Sequence, residues 1–321
     1  MILKRILKII GITLASIISF LIIALVIVGC LEKQIYSDFF SKSEEIVSIY
    51  GLEDGYIPQG FTYSQEKDIF LTSGYINKGV EPSRIYQISS DNKEHKYVTL
   101  KNEDDTPFMG HCGGIGAYKN SVYIACDDEN YNKIFEFSLQ DIMNAENGSS
   151  VKVKSSRKLD VNPAYICVYD DIILVGEFYK KESYETDPTH HITTPSGEEN
   201  PALCYAYDAN TFEKKYVLSV PSLVQGIVCY GEGKFAISTS WAISSSHLYF
   251  YEDVFVSKES FDNLDLFFLD SNNLTKTVKL PPMSEEIQLY NDKILVNFES
   301  AGDKYKMVNL FRQTSIWGYK Y

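Results

Sequence analysis

Residues 224–241 read Val224-Gln225-Gly226-Ile227-Val228-Cys229-Tyr230, a Gly231-Glu232-Gly233 turn, then Lys234-Phe235-Ala236-Ile237-Ser238-Thr239-Ser240-Trp241. These are two strand-like runs joined by a glycine turn. The unit recurs. Setting the apolar residue after the small pair in register aligns Gln59-Gly60-Phe61, Gly113-Gly114-Ile115, Ala164-Tyr165-Ile166, Gln225-Gly226-Ile227 and Glu285-Glu286-Ile287, at spacings of 54, 51, 61 and 60 residues. A second run follows each copy, at residues 68–74, 121–127, 171–177, 234–240 and 293–299. Five all-β units at such a period predict one five-bladed β-propeller rather than two domains.

Third strands are expected at residues 84–88, 133–137, 203–207, 265–269 and 315–319, where aromatic and β-branched residues dominate. Fourth strands are expected at 97–100, 157–161, 216–220 and 277–280, with a short helix near 139–145 and an extra hairpin or lid at 247–255. The fifth unit has no fourth strand of its own after residue 319. Residues 45–50 precede the first unit where a fourth strand is due, so the last blade is expected to close with this N-terminal strand and leave no open edge.

Of a net charge of −13, residues 1–30 contribute +3 through Lys4, Arg5 and Lys8, so the remainder carries −16. An acidic body of this kind repels phosphate backbones and disfavours nucleic acid as a partner. Residues 9–29 carry no charge and are long enough to span a bilayer, with the preceding cations on the cytoplasmic side. Ile27-Val28-Gly29-Cys30 resembles the lipobox of bacterial lipoproteins, which implies lipidation of Cys30. Whether residues 1–30 are an uncleaved signal anchor or a lipoprotein signal stays open. Either way residues 31–44 read as a tether and 45–321 as a monomeric propeller at the extracytoplasmic face of the cell membrane. Of the other five cysteines, Cys112 and Cys126 flank one hairpin and either pair or stay free; free buried thiols are the favoured reading.

Connections between second and third strands are long at 180–200, 241–263 and 301–313, all on the face from which the first strands start. Loops on a rigid scaffold carry function, so this face is the candidate binding face. Equivalent repeat positions are related by rotation about the propeller axis. One ring holds Gly74, Asp127, Glu177, Ser240 and Glu299; the other holds Gln59, Gly113, Ala164, Gln225 and Glu285. Four carboxylates and two carboxamides are thus expected at the channel mouth, near His111, Asp128, Tyr75, Trp241 and Glu286. Asp127, Glu177, Glu285 and Glu299 offer oxygen ligands suited to Ca²⁺; they serve equally as hydrogen-bonding groups between blades. Tyr75 and Trp241 are candidate stacking walls for a sugar or another flat ligand. His111 is a candidate base, and His190-His191 sit in the polar 180–200 insertion. Gly60, Gly114 and Gly226 share a position where the backbone comes close to the axis. No nucleophile elbow, zinc-protease helix, phosphate loop or dinucleotide fingerprint occurs.

Three motifs resemble those of a family of bacterial secreted or membrane-anchored β-propeller proteins: Ile57-Pro58-Gln59-Gly60-Phe61 with Pro82-Ser83-Arg84-Ile85-Tyr86, then Gly110-His111-Cys112-Gly113-Gly114-Ile115, then Pro281-Pro282-Met283-Ser284-Glu285 with Phe298-Glu299-Ser300. Where that family has a glycine after the glutamate, this chain has Glu286. A looser similarity, to the five-bladed glutaminyl cyclotransferases, rests on Gln59-Gly60-Phe61 and Thr72-Ser73-Gly74. It implies a catalytic glutamate where Gln59 stands. The leading expectation is a membrane-tethered module that binds a polar small ligand, a glycan or peptide fragment, through Gln59, Tyr75, His111, Gln225 and Trp241. The alternatives are a metal-assisted hydrolase, lyase or cyclotransferase using Glu177, Glu285 or Glu299 as acid or base, and a protein-interaction platform.

Overall fold

The computed structural model describes residues 2–128 and 131–321. Blade 1 consists of Tyr56–Ser64, Ile69–Ile76, Arg84–Ser89 and His95–Lys101. Blade 2 is Gly114–Tyr118, Ser121–Cys126, Lys133–Ser138 and the short Ser155–Arg157, and blade 3 is Tyr165–Tyr169, Ile172–Gly176, Ala202–Asp208 and Lys214–Val220. Blade 4 takes Val224–Gly231, Lys234–Thr239, Ser246–Tyr251 and Leu274–Leu280; blade 5 takes Ser284–Tyr290, Lys293–Phe298 and Ser315–Lys320. The first strands lie side by side in a closed circuit, blade 1 against 2, 2 against 3, 3 against 4, 4 against 5 and 5 against 1. The protein is a five-bladed β-propeller.

The expected closure is present. Ser43–Ser48 pairs antiparallel with Ser315–Lys320, Ser48 opposite Ser315, and completes blade 5 from the N-terminal side. Val47 of this strand is buried, as is Ile49 just after it. The second strands lie between neighbouring blades on both faces. Their interiors are therefore apolar runs rather than alternating ones: Val122 to Cys126, Ile173 to Val175, Phe235 to Ile237 and Ile294 to Val296 are buried throughout.

Two strand expectations need correction. The third strand of blade 4 is Ser246–Tyr251, not 265–269, so residues 247–255 are mostly blade and not a lid. Leu264–Phe268 instead runs parallel to Lys214–Val220 on the outer edge of blade 3, followed outward by Glu259–Phe261. Both segments are aromatic and strand-competent; the one reached by the shorter connection, residues 240–245, takes the blade position, at the lower closure cost. In blade 2 the outer strand begins two residues before the expected 157 and ends there, while Ser150–Lys152 pairs parallel with the outer strand of blade 1. The helix Leu139–Asn144 forms where expected, with Ser138 accepting from the Asp141 amide as its N-cap. All six cysteines are free, Cys112 and Cys126 among the buried ones.

The N-terminal helix runs Ile2–Ile35, and its Ile12–Ile35 portion is long and apolar enough to cross a membrane. The stretch 31–44 is not an extended tether. It finishes this helix, forms a short one over Ser37–Ser41, and buries Phe39 against Phe298, Trp317 and Tyr319 on blade 5.

Candidate functional site

The first strands carry bulges where they approach the mouth. Register shifts occur between Pro58 and Phe61 in blade 1, between Val224 and Gly226 in blade 4, and between Ser284 and Ile287 in blade 5. A bulge re-aims side chains. Here the bulged residues are Gln59, Gln225, Glu285 and Glu286. Non-glycine residues in the left-handed region mark the entries of the first strands of blades 2, 4 and 5, Cys112 (φ 59°), Leu223 (φ 67°) and Met283 (φ 65°), a strained conformation that clusters at functional sites.

The bulge in blade 5 sends two neighbouring glutamates to different places. Glu286 turns into the axis. Its carboxylate accepts the main-chain amides of Phe61 and Ile115, each at 2.8 Å, and of Ile166 at 3.0 Å, from blades 1, 2 and 3. Its own backbone sits so near blade 4 that a Cβ on Gly226 would lie 2.8 Å from the Glu286 Cα. One fully buried residue thus touches all five blades, three through its carboxyl group and blade 4 through its backbone. Burial pushes its carboxyl well above the usual range, and the three amide donors draw it partly back. Sequence reading placed Glu286 only near the mouth; its substitution for a repeat glycine was the signal.

Glu285 turns the other way, into a cavity of about 720 Å³ lined by all five blades. Gln59, Tyr75, His111, Asp127, Gln225, Trp241, Glu285 and Glu299 all face it, as the repeat register predicts. Glu285 and Glu299 are close enough there for their charges to interact, and both carboxyls are raised. For Glu285 burial is the main cause, followed by the charges of Glu299, Glu286 and Asp127; for Glu299 burial again leads, opposed by His111, Gln59, Tyr305 and Lys304. Gln59 Nε2 donates to Glu299 Oε2 at 2.8 Å, and the Asn297 amide fixes the Gln59 carbonyl at 2.8 Å.

The His111 main-chain amide donates to Asp128 Oδ2 at 2.5 Å, and its Nδ1 lies 3.7 Å from Asp127 Oδ1. Burial lowers the affinity of this imidazole for a proton, but Asp127, Glu299 and Asp128 together outweigh it and hold the net shift upward. Tyr75 packs its ring 5.0 Å from His111 and receives Lys304 Nζ at 3.4 Å on its hydroxyl. Tyr305, which the sequence reading missed, reaches Glu299 from the 301–314 loop. The opposite wall is aromatic: Trp241 stacks on Phe178 (6.2 Å, 23°), with Tyr184 edge-on to both and Lys180 Nζ 5.3 Å from the indole. Ser240 and Trp241 also line a second cavity of about 570 Å³ beside blade 4.

Glu177 does not join this set. In blade 3 the first two strands pair without a register shift, and Glu177 is buried against the insertion instead. Its carboxylate meets His190 Nδ1 at 2.9 Å and accepts the Leu203 amide at 3.1 Å. Burial disfavours a charged His190, but Glu177 overrides it and raises the histidine. The insertion is accordingly held down, with Ile192–Thr193 paired to Glu199–Asn200, rather than free in solvent. Among the described residues no group of three or more His, Cys, Asp or Glu side chains is placed to hold a metal ion. The oxygen set expected for Ca²⁺, which counted Glu177, is not assembled.

No protein-family model and no curated protein matches the chain. Among solved structures the chain is similar to the glutaminyl cyclase of Myxococcus xanthus, at 10% identity and a TM-score of 0.45 over 86% of this chain and 95% of that one. It is also similar to hydrazine synthase of Kuenenia stuttgartiensis (8% identity, TM-score 0.39, 75% of this chain and 55% of that one) and to the Pan2 WD40 domain of Neurospora crassa (8%, 0.35, 82% and 63%).

Proposed function

We propose that the protein is a membrane-anchored, extracytoplasmic β-propeller whose channel mouth binds a small polar ligand rich in hydroxyl or amide groups, a glycan or peptide fragment. The observation that carries this reading is the meeting, in one cavity, of the Glu285 and Glu299 carboxyls, both raised above their usual range, with the aromatic group of Trp241, Phe178 and Tyr184. Donors and acceptors on one side with an aromatic face on the other suit a ring that has a polar edge and an apolar face. The second cavity past Trp241 favours a ligand longer than one ring. A panel of cell-wall glycan and peptide fragments, titrated calorimetrically, tests it. A saturable binder should lose affinity on the order of tenfold with Trp241→Ala, as expected for one aromatic contact. No saturable binder in the panel, or one indifferent to Trp241→Ala and Glu285→Gln alike, counts against it.

A second reading is supported by the same pair. Two carboxyls raised toward their neutral forms, with His111 held toward protonation, offer candidates for an acid and a base in one site. Mass spectrometry of the panel after incubation separates the two. Products that disappear with Glu299→Gln while affinity persists support turnover; ligand recovered unchanged supports binding alone.

A further inference from the structure

We infer that the propeller sits on the bilayer with its channel mouth facing the lipid, seated through the loops of blades 4, 5 and 1; this rests on the membrane-anchor reading of the N-terminal helix. The helix ends at that face. Gln313 Nε2 donates to Glu32 Oε1 at 2.5 Å, and Tyr36 meets Phe311 (5.8 Å between ring centroids) and Ser245 (3.2 Å between hydroxyl oxygens). Gln313 and Phe311 belong to the loop that also sends Lys304 and Tyr305 into the cavity. Ser245 belongs to the loop that carries Trp241. The chain therefore leaves the membrane at the mouth, and Tyr36 follows Cys30 by six positions, about 9 Å of helical rise. A lipid on Cys30 would hold the same face down.

The loops around this exit expose apolar side chains that a water-facing surface does not need. Met307 is 95% exposed, Leu310 74% and Val80 70%, with Val308 and Ile243 also exposed. They come from three blades and lie on one face. In the 301–314 loop Arg312 follows the apolar tip and Lys306, paired with Asp303 at 2.9 Å, precedes it, a combination that suits an interface with headgroups. Glu198 and Glu199 of the acidic blade 3 insertion line the cavity that Ser245 also borders, so the seat is drawn from blades 4, 5 and 1, which carry the exposed apolar side chains. Seated this way, the cavity opens toward the headgroup layer and is loaded along the membrane surface.

The test uses the full chain with Cys30 and Cys229 replaced by serine, reconstituted in phosphatidylcholine–phosphatidylglycerol vesicles containing nitroxide-bearing lipid. Single cysteines at Leu310, Val80, Leu31 and Gln65 carry an environment-sensitive fluorophore. Leu31 reports the anchor, and Gln65 lies in the turn between the first and second strands of blade 1, at the other end of the ring. Strong lipid quenching at Leu310→Cys, Val80→Cys and Leu31→Cys with none at Gln65→Cys is the expected result. Quenching at Leu31→Cys alone overturns the seating and leaves the anchor standing. No quenching at Leu31→Cys removes the anchor reading, and the seating with it.

Discussion

Two adjacent residues, Glu285 and Glu286, carry much of what distinguishes this propeller, and they make separable predictions. Glu285 has an ordinary value of 4.5 and is raised well above it in the fold. As pH rises past 4.5, the unfolded chain releases a proton that the folded state keeps. The slope of stability with pH is therefore negative from there until the folded carboxyl ionises. Glu285→Gln fixes the neutral form, so its melting temperature should match the parent near pH 4, exceed it at pH 8, and decline less between them. Parallel melting curves would show that the pair is not raised. Glu286→Ala strands three buried amides, each costing about 1–3 kcal/mol. A loss of roughly 10 °C or more in melting temperature is expected, and a change within about 2 °C would remove Glu286 from its role as the axial tie. Repeat register set Glu285 at the mouth; the turn of Glu286 into the axis was not legible from the chain, because the bulge that divides them has no side-chain signature of its own.

At the scale of single strands, the repeat period and the glycines were the most legible features. Gly60, Gly114 and Gly226 align in sequence, and the structure gives the reason: a Cβ on Gly114 would lie 2.6 Å from the Ile166 amide nitrogen and 2.8 Å from the Tyr165 Cα. These obstacles are backbone and cannot turn aside. Gly114→Ala should therefore cost about 1–3 kcal/mol, read as an earlier midpoint in urea with an unchanged slope; an unchanged midpoint would mean that the first strands are not in close contact. Strand assignment failed where two segments of similar composition competed, 246–251 and 264–268. Local propensity does not record which neighbour a strand will find. The Glu177 position failed for a related reason: repeat register puts it in the ring, but His190, distant only by an insertion, captures its carboxylate.

The ring as a whole brings side chains separated by more than two hundred residues into one cavity, as with Gln59 and Glu299. The same closure sets the N-terminal strand beside the last one and the apolar helix beside the mouth, so helix, seal and cavity depend on one topology. Phe39 links them. Truncating it to alanine removes a buried aromatic packed on Phe298 and Tyr319 and should destabilise the protein by about 3–5 kcal/mol; a melting temperature equal to the parent's would show that residues 37–41 do not dock on blade 5. From the chain alone, five blades, N-terminal closure and most of the mouth residues were legible, because rotation about an axis converts spacing into proximity. The packed state of residues 31–44 was not, since Phe39 and Phe40 have no repeat counterpart to set their register.

The mouth of this ring holds a pair of carboxyls, Glu285 and Glu299, raised above their usual range. Carbon-13 NMR of protein labelled at the glutamate side-chain carboxyl, followed from acid to alkaline pH, reads it directly. Some resonances should titrate above the usual carboxylate range, and one of them should vanish in Glu285→Gln. Glutamate carboxyls that all titrate near 4.5, with nothing lost in Glu285→Gln, would contradict it.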